Sequence, residues 1–232
     1  RPDMIRALDP AGLDREDRAL LARLGWAVPA GAEHPIPVRL RNASADDAHA
    51  LAALAARTFP DACGNVIAPE FLERHIATTL VPELFATWAG DDRVDLVVAE
   101  LLEPLLTGPD SSLGEEAGAS TAPALVGYAA VLREEADSGG ERPHGIDPRP
   151  ACVRPAGGEV VGELSKVYVD ATMRGSGLTP ALMDAVIRQA AAHGTDLLWL
   201  GTHVTNKRAQ KAYKRAGFRQ VGTRTYNVGG QD

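Results

Sequence analysis

Residues 173–180, with the sequence MRGSGLTP, have the composition of a loop that binds phosphate. Gly175 and Gly177 allow a tight backbone turn and leave the neighbouring N–H groups uncovered by side chains. The segment lies between a stretch with the pattern of a strand and one with the pattern of a helix, so a helix N-terminus adds partial positive charge there. The chemistry that this arrangement predicts is the binding of phosphate or pyrophosphate.

Two common nucleotide-binding loops are excluded by the same residues. A Walker A loop requires Gly-x-x-x-x-Gly-Lys-Ser/Thr, which the chain lacks. A dinucleotide-binding fingerprint requires glycine where Pro180 stands. The remaining alternative is a turn with a purely structural role, and the elements around the loop decide between the two.

The last third of the chain alternates regularly between strands and helices. Predicted strands cover residues 160–169, 196–201 and 218–228, and predicted helices cover residues 180–193 and 206–216. A strand, a helix and a strand at this spacing form a crossover unit, which makes two neighbouring strands parallel. The loop therefore joins the first strand of such a unit to its helix.

The middle of the chain has a less regular pattern. Alternation predicts a strand over residues 38–41, and Ser44 followed by Asp46 and Asp47 predicts the start of a helix. A loop is expected over residues 60–65, and Pro69 is expected to open a second helix. Two further strands are predicted over residues 94–99 and 125–132.

The 232 residues are enough for one large domain or for one domain with additions. We expect residues 1–36 to form an N-terminal appendage with a short helix, and residues 37–232 to form one domain with acidic insertions near 100–123 and 134–158. Between Glu100 and Glu141 there are nine acidic residues and one basic residue. These are either solvated loops or an electrostatic collar for a cationic substrate.

Composition excludes several classes of protein. The chain is 45% hydrophobic and 24% charged, which is typical of a globular domain, and its net charge of −7 argues against nucleic acid as a partner. It has no run of about 18 apolar residues and no apolar N-terminal region, so we expect a cytoplasmic protein with no membrane partner. Cys63 and Cys152 have no partners at metal-ligand spacing, and no metal is expected.

Several motifs together resemble the GNAT superfamily of acyl-CoA N-acyltransferases. The loop 174–179 matches that family's Arg/Gln-x-x-Gly-x-Gly/Ala pattern except at Thr179. The other matching elements are LSKVYV at 164–169, LWLG at 198–201, Asn206, Ala209, Tyr213 and Gly217-Phe218. The resemblance covers residues 160–228, and the segment VRLRNASADDA at 38–48 fits the family's first strand and helix.

The resemblance implies an α/β (α+β) fold, with a central mixed and mostly antiparallel sheet, one parallel crossover pair and helices on both faces. It implies an acyltransferase in which a primary amine attacks acetyl-CoA directly. Thr58-Phe59, Pro69-Glu70, residues 199–201 and Val228-Gly229 are most similar to the polyamine (spermidine/spermine) N-acetyltransferase branch. A polyamine or another small cationic amine is therefore the expected acceptor.

Other functions are also compatible with the sequence. The chain could acetylate protein N-termini or lysines, or it could be a regulatory module that binds CoA without turnover. The sequence does not distinguish a monomer from a homodimer.

The resemblance also implies which residues hold acetyl-CoA. Backbone N–H groups of Val167, Tyr168 and Val169 would bind the acetyl carbonyl and the pantetheine, and the glycine loop would bind the pyrophosphate. The Thr179 hydroxyl either replaces the N–H that Pro180 lacks, or CoA binds less tightly than usual. The expected cofactor-binding residues are Val167, Tyr168, Val169, Arg174, Gly175, Ser176, Gly177, Leu178, Thr179 and Asn206, of which Asn206 could instead, or in addition, cap its helix.

Two catalytic residues are expected from the same resemblance. Tyr213 would protonate the departing thiolate, with aromatic packing as the alternative. Glu163 would accept the proton of the amine, with a salt bridge as the alternative and His203 as the second candidate. Six basic residues and no acidic residue lie between Lys207 and Arg219, which form either a solvated helix face or a contact for the 3′-phosphate of CoA.

Overall fold

The computed structural model describes residues 1–63, 68–103, 124–134, 153 and 159–223. Its helices and strands, in chain order, are α1 (Pro2–Arg6), α2 (Arg15–Arg23), β1 (Trp26–Ala27), β2 (Ile36–Asn42), α3 (Ala48–Cys63), α4 (Pro69–Thr78), α5 (Pro82–Gly90), β3 (Val94–Leu101), β4 (Leu125–Glu134), β5 (Val161–Val169), α6 (Leu178–Ala192), β6 (Leu197–Trp199) and α7 (Lys207–Arg215).

The strands of the described chain form one sheet, in the order β1-β2-β3-β4-β5-β6. Neighbours from β1 to β5 are antiparallel, whereas β5 and β6 are parallel and are joined through α6. The sheet is therefore mixed and mostly antiparallel with one parallel crossover pair, which confirms the predicted fold class.

Helices cover both faces of the sheet. On one face, which we call the α3/α5 face, Leu51 and Phe85 pack against Tyr128 of β4. On the other, the α6 face, Leu182 packs against Val131 of β4. All five of these side chains are buried, so each face has its own apolar core.

The start of α3 is held by hydrogen bonds of Ser44 and Asp47, two of the residues from which the helix start was predicted. Ser44 is the N-cap of a short 3-10 turn that leads into α3. The Asp47 carboxylate accepts hydrogen bonds from the Ser44 N–H at 2.8 Å and from both terminal nitrogens of Arg41 at 2.7 and 2.8 Å. These bonds lower the pKa of the Asp47 carboxyl, with the Arg41 bond as the largest cause.

The bounds of α3 and α6 differ from the prediction. The prediction that a loop begins at residue 60 is wrong, because α3 continues through Pro60 to Cys63. Pro60 costs the helix one N–H bond, but the residues before it, such as Leu54, are buried on the sheet and hold the helix in place. Helix α6 starts at Leu178 rather than at Pro180, which lies in its first turn, where proline is tolerated.

The end of the described chain also differs. Strand β6 covers only Leu197–Trp199, which is shorter than the expected 196–201. Residues 218–223 form no strand, and the rest of the strand expected over 218–228 lies outside the described residues. Helix α5 was not predicted, although Pro82 at its start is a typical first-turn residue.

The N-terminal 36 residues contact the rest of the molecule closely. Strand β1 pairs with β2, and the buried residues Ala22 and Ala27 belong to the α6-face core. The division into an appendage and a catalytic domain stays a prediction. Most of the two expected acidic insertions, at 104–123, 135–152 and 154–158, lies outside the described residues.

Candidate active site

The glycine loop connects the end of β5 to the start of α6, as the sequence predicted. Gly175 and Gly177 have φ angles of +76° and +90°, in the left-handed region that favours glycine. Gly177 is the N-cap of α6, a helix of 15 residues. The loop therefore leads directly into a helix N-terminus, which carries partial positive charge.

Some N–H groups of the loop are used internally and others are free. The N–H groups of Arg174 and Ser176 donate to the carbonyls of Ala171 and Met173. The Leu178 N–H donates to the Ser176 hydroxyl at 3.4 Å. Within the described part of the chain, the N–H groups of Gly175, Gly177 and Thr179 donate no hydrogen bond. Gly177 is buried, so an anion at this position would find two accessible donors, the N–H groups of Gly175 and Thr179.

The loop is tied to α3 by two ion pairs. Arg57 bonds Asp170, at the end of β5, at 3.2 Å. One turn further along α3, Asp61 pairs with Arg174, the first residue of the loop motif. Arg174 thus has a carboxylate partner in this structure, and the pair connects the loop to the α3/α5 face.

Strands β5 and β6 part beside the loop. Their pairing ends at Glu163 and Trp199, after which β5 continues to Val169 without a β6 partner in the described chain. Successive N–H groups of a strand point to alternate sides. The half-buried end of β5, which contains Val167, Tyr168 and Val169, therefore offers backbone groups on the side that β6 has left.

A β-bulge determines which side chains of β5 share a face. Leu164 lies opposite Val131 and Lys166 opposite Ala130, so Ser165 has no partner in β4. Strict alternation would put Glu163 and Lys166 on opposite faces. Because of the bulge both lie on the α3/α5 face, together with Tyr168.

Glu163 is buried, with 6% of its surface exposed, at the point where the two parallel strands part. It lies opposite Leu132, which belongs to the α3/α5-face core. A carboxylate at this position can accept a proton from a group that approaches along this face.

His75 on α4 was not among the predicted site residues, but the fold brings it near Lys166 of β5. Its ring lies 4.8 Å from that of Phe59 and 6.1 Å from that of Phe71, measured between centroids. Burial and then the nearby charge of Lys166 lower the pKa of the imidazole. The signal for this residue is tertiary, because only the fold brings α4 close to β5.

Tyr213 lies on the other face of the sheet. It packs against the α6-face core and makes an edge contact with Phe218 at 6.2 Å. Burial raises the pKa of its phenol. The structure therefore places Tyr213 and Glu163 on opposite faces, rather than in direct contact.

Asn206 caps α7, as expected, because its side-chain oxygen accepts the Ala209 N–H at 3.0 Å. His203, the second candidate for the base, is exposed and lies 2.8 Å from the Thr205 hydroxyl. The basic side chains of α7 are exposed and form no ion pair within the described chain: Lys207, Arg208, Lys211, Lys214 and Arg215.

A cavity of about 470 Å³ lies at the far end of α6 and contains none of the predicted site residues. Its lining includes Arg133 and His193, which both contact the buried carboxylate of Asp95. Among the described residues, no cluster of His, Cys, Asp and Glu could hold a metal, and no helix is long and apolar enough to cross a membrane.

Comparison with family models gives two matches. A model of the Acetyltransferase (GNAT) family matches residues 115–218, which include β4, β5, the glycine loop and α7. A model of the T3SS (YopN, CesT) and YbjN peptide-binding chaperone 3 matches residues 4–78, which end in α4.

The chain is also similar to several proteins and solved structures that are named N-acetyltransferases. Uncharacterized N-acetyltransferases from Mycobacterium tuberculosis (strain ATCC 25618 / H37Rv) and Mycobacterium bovis are each 32% identical over 183 residues, which is 79% of this chain and 90% of theirs. The PaiA N-acetyltransferase from Thermoplasma acidophilum in complex with coenzyme A has a TM-score of 0.56 at 13% identity, over 79% of this chain and 91% of that chain. The aminoglycoside N-acetyltransferase AAC(6')-Iy in complex with CoA has a TM-score of 0.53 at 14% identity, over 84% of this chain and 96% of that one.

Proposed function

Because the chain belongs to the GNAT family of acetyltransferases, we propose that it transfers the acetyl group of acetyl-CoA to the primary amine of a small cationic molecule, with polyamines as the first candidates. The observation that carries the proposal is the juxtaposition of the glycine loop, in which the N–H groups of Gly175 and Thr179 are unbonded and accessible, and the gap where β5 and β6 part.

The cofactor-binding part of the proposal uses backbone groups. The N–H groups of Gly175 and Thr179 would hold the pyrophosphate at the start of α6. The free backbone edge of β5 at Val167–Val169 would hold the pantetheine and the acetyl carbonyl. The exposed cations of α7 would pair with the 3′-phosphate.

The acceptor part of the proposal concerns the α3/α5 face. The buried carboxylate of Glu163 lies there, and so do the aromatic rings of Phe59 and Tyr168. Aromatic rings attract cations, and the protein as a whole carries a net charge of −7. Both features support a small cationic amine.

The proposed reaction is a direct transfer. Glu163 accepts a proton from the ammonium group of the acceptor, and the neutral amine attacks the thioester carbonyl. The new C–N bond forms and the C–S bond of the tetrahedral intermediate then breaks, while Tyr213 gives its proton to the thiolate of CoA. The nitrogen of the product loses its remaining extra proton to water, and water returns a proton to the Tyr213 phenolate. Burial raises the pKa of the Tyr213 phenol, so its proton is held more tightly than that of a free tyrosine.

The proposal is tested with a panel of acceptors at one acetyl-CoA concentration. The panel contains spermidine, an aminoglycoside and a peptide with a free N-terminus, and the readouts are free thiol and the mass of the product. We expect thiol release matched by acetylation of spermidine. If only the peptide were acetylated, the chain would be a protein acetyltransferase and the small-amine proposal would be wrong.

A further inference from the structure

The N-terminal segment touches the glycine loop at two adjacent residues. The Val28 N–H, just after β1, donates to the Ser176 carbonyl at 3.1 Å. The carbonyl of Arg18 faces Gly177 so closely that a Cβ atom on Gly177 would lie 2.0 Å from the Arg18 oxygen. Glycine at 177 is thus required by this contact as well as by its φ angle.

The side chain of Arg18 connects three parts of this segment by hydrogen bonds. The Arg18 guanidinium donates to the carbonyls of Pro10 at 2.7 Å, Leu13 at 3.2 Å and Val28 at 2.8 Å. Three bonds from one half-buried side chain hold the chain before and after α2 together. The backbone of the same residue contacts Gly177, so the order of the segment is linked directly to the loop.

The segment also packs on the first turns of α6. Ala22 of α2 is fully buried in the same core as Leu178 and Ala181. Arg23 of α2 pairs with Asp184 of α6 at 3.2 Å. Ser176, Gly177 and Leu178 are buried under this contact, whereas Gly175 is exposed and Thr179 partly so.

We infer that Arg18 is a positioning residue for the pyrophosphate of CoA. It holds the N-terminal segment against Ser176 and Gly177, and this fixes the conformation in which the N–H groups of Gly175 and Thr179 face outward. The inference rests on the proposed function, because it concerns the same loop. Arg18 itself touches neither CoA nor the reacting atoms.

The test compares Arg18→Ala with Arg15→Ala, which removes an exposed arginine from the same helix. If the binding-competent loop falls to roughly a tenth of the population, the Kd for CoA rises about tenfold. We therefore expect R18A to raise the calorimetric Kd for CoA, measured without amine, and the KM for acetyl-CoA by about tenfold. Its kcat at saturating acetyl-CoA should stay within about twofold, and R15A should match the wild type.

The outcomes separate the inference from the proposed function. If R18A lowers the melting temperature but leaves the Kd for CoA unchanged, Arg18 is only structural and the inference is wrong. If the wild type itself does not bind CoA, the proposed function fails. Arg18→Lys, which retains the charge but cannot reach three carbonyls, should give a smaller rise in Kd and replaces R18A if that variant does not fold.

Discussion

Tyr213 and Glu163 show how much a single residue's role depends on its surroundings. Tyr213 is packed against Phe218 on the α6 face, and burial raises the pKa of its phenol. Glu163 is buried at the point where β5 and β6 part. Both roles stay proposals, and each can be separated from simple packing by a nearly isosteric substitution.

Tyr213→Phe removes only the hydroxyl and leaves the ring in place. General acids typically contribute about 100-fold or more to a rate, so we expect kcat to fall by about that factor. The Kd for acetyl-CoA should change by less than about twofold. Steady-state thiol release and calorimetry measure the two quantities, and an unchanged kcat would mean that Tyr213 only packs.

Glu163→Gln retains the shape of the side chain and removes its basicity. We expect kcat to fall about 100-fold at neutral pH, because the acceptor then has to lose its proton to water. The loss should shrink as the pH approaches the pKa of an alkyl ammonium, about 10, where the neutral amine is abundant. A pH profile of kcat measures this, and a loss that stayed constant with pH would assign Glu163 to structure.

Sequence patterns predicted some of these residues better than others. The left-handed glycines of the loop and the cap formed by Asn206 depend on local chemistry, which the sequence contains. Lys166 and His75 could not be placed, because the bulge at Ser165 and the approach of α4 to β5 are tertiary features. For the same reason the ion pair between Arg174 and Asp61 has no sequence signal.

At the scale of elements, the junction between β2 and α3 is held by charge. The Asp47 carboxylate is almost fully buried and accepts two hydrogen bonds from Arg41, which also bonds Glu100 of β3 at 2.9 Å. A single arginine thus joins a helix start to two strands.

Asp47→Asn should lower the free energy of unfolding by about 2 kcal/mol at pH 7, since it removes hydrogen bonds between charged groups. The pKa of Asp47 is lowered by folding, so its contribution is fully present above the ordinary carboxyl value of 3.8. It is lost as the pH falls through the lower folded-state value. Urea unfolding at pH 7 and in strong acid measures this, and an equal difference at both would contradict it.

The glycine loop allows a matched pair of substitutions. Gly175 and Gly177 both have left-handed φ angles, but a Cβ atom would meet nothing within 4 Å at Gly175 and the Arg18 backbone at Gly177. Alanine at either position carries the same backbone strain, of about 1–2 kcal/mol. Only G177A adds a clash with α2.

We therefore expect G177A to lower the free energy of unfolding by about 1–3 kcal/mol more than G175A does, which is the usual cost of overpacking. Thermal or urea unfolding of the two variants gives the comparison. Equal losses would mean that α2 moves away without cost.

Element prediction was weakest where packing overrides local signals. Pro60 indicated the end of a helix, yet α3 continues past it because the preceding turns are buried against the sheet. Gly177 and the following residues gave the start of α6 to within one turn. The two-residue strand β1 has no pattern of its own and exists only because β2 lies beside it.

For the whole molecule, the sheet separates the two groups of residues on which the proposed function rests. The α6 face carries the glycine loop, Tyr213 and the N-terminal segment, whereas the α3/α5 face carries Glu163, Lys166 and His75. The pairing of β5 with β6 ends at Glu163 and Trp199, and beyond this point the proposed reaction would join groups from the two faces. We therefore expect acetyl-CoA to bind from the α6 face and the amine to approach along the α3/α5 face.

The proposed acetyl transfer is tested most directly by the rate of CoA thiol release by the wild-type chain, with and without spermidine, at saturating acetyl-CoA. We expect release that requires the amine and that equals the amount of acetylated spermidine formed. Tight binding of acetyl-CoA with no release in the presence of spermidine or any other amine would contradict it, and would make the chain a CoA-binding module.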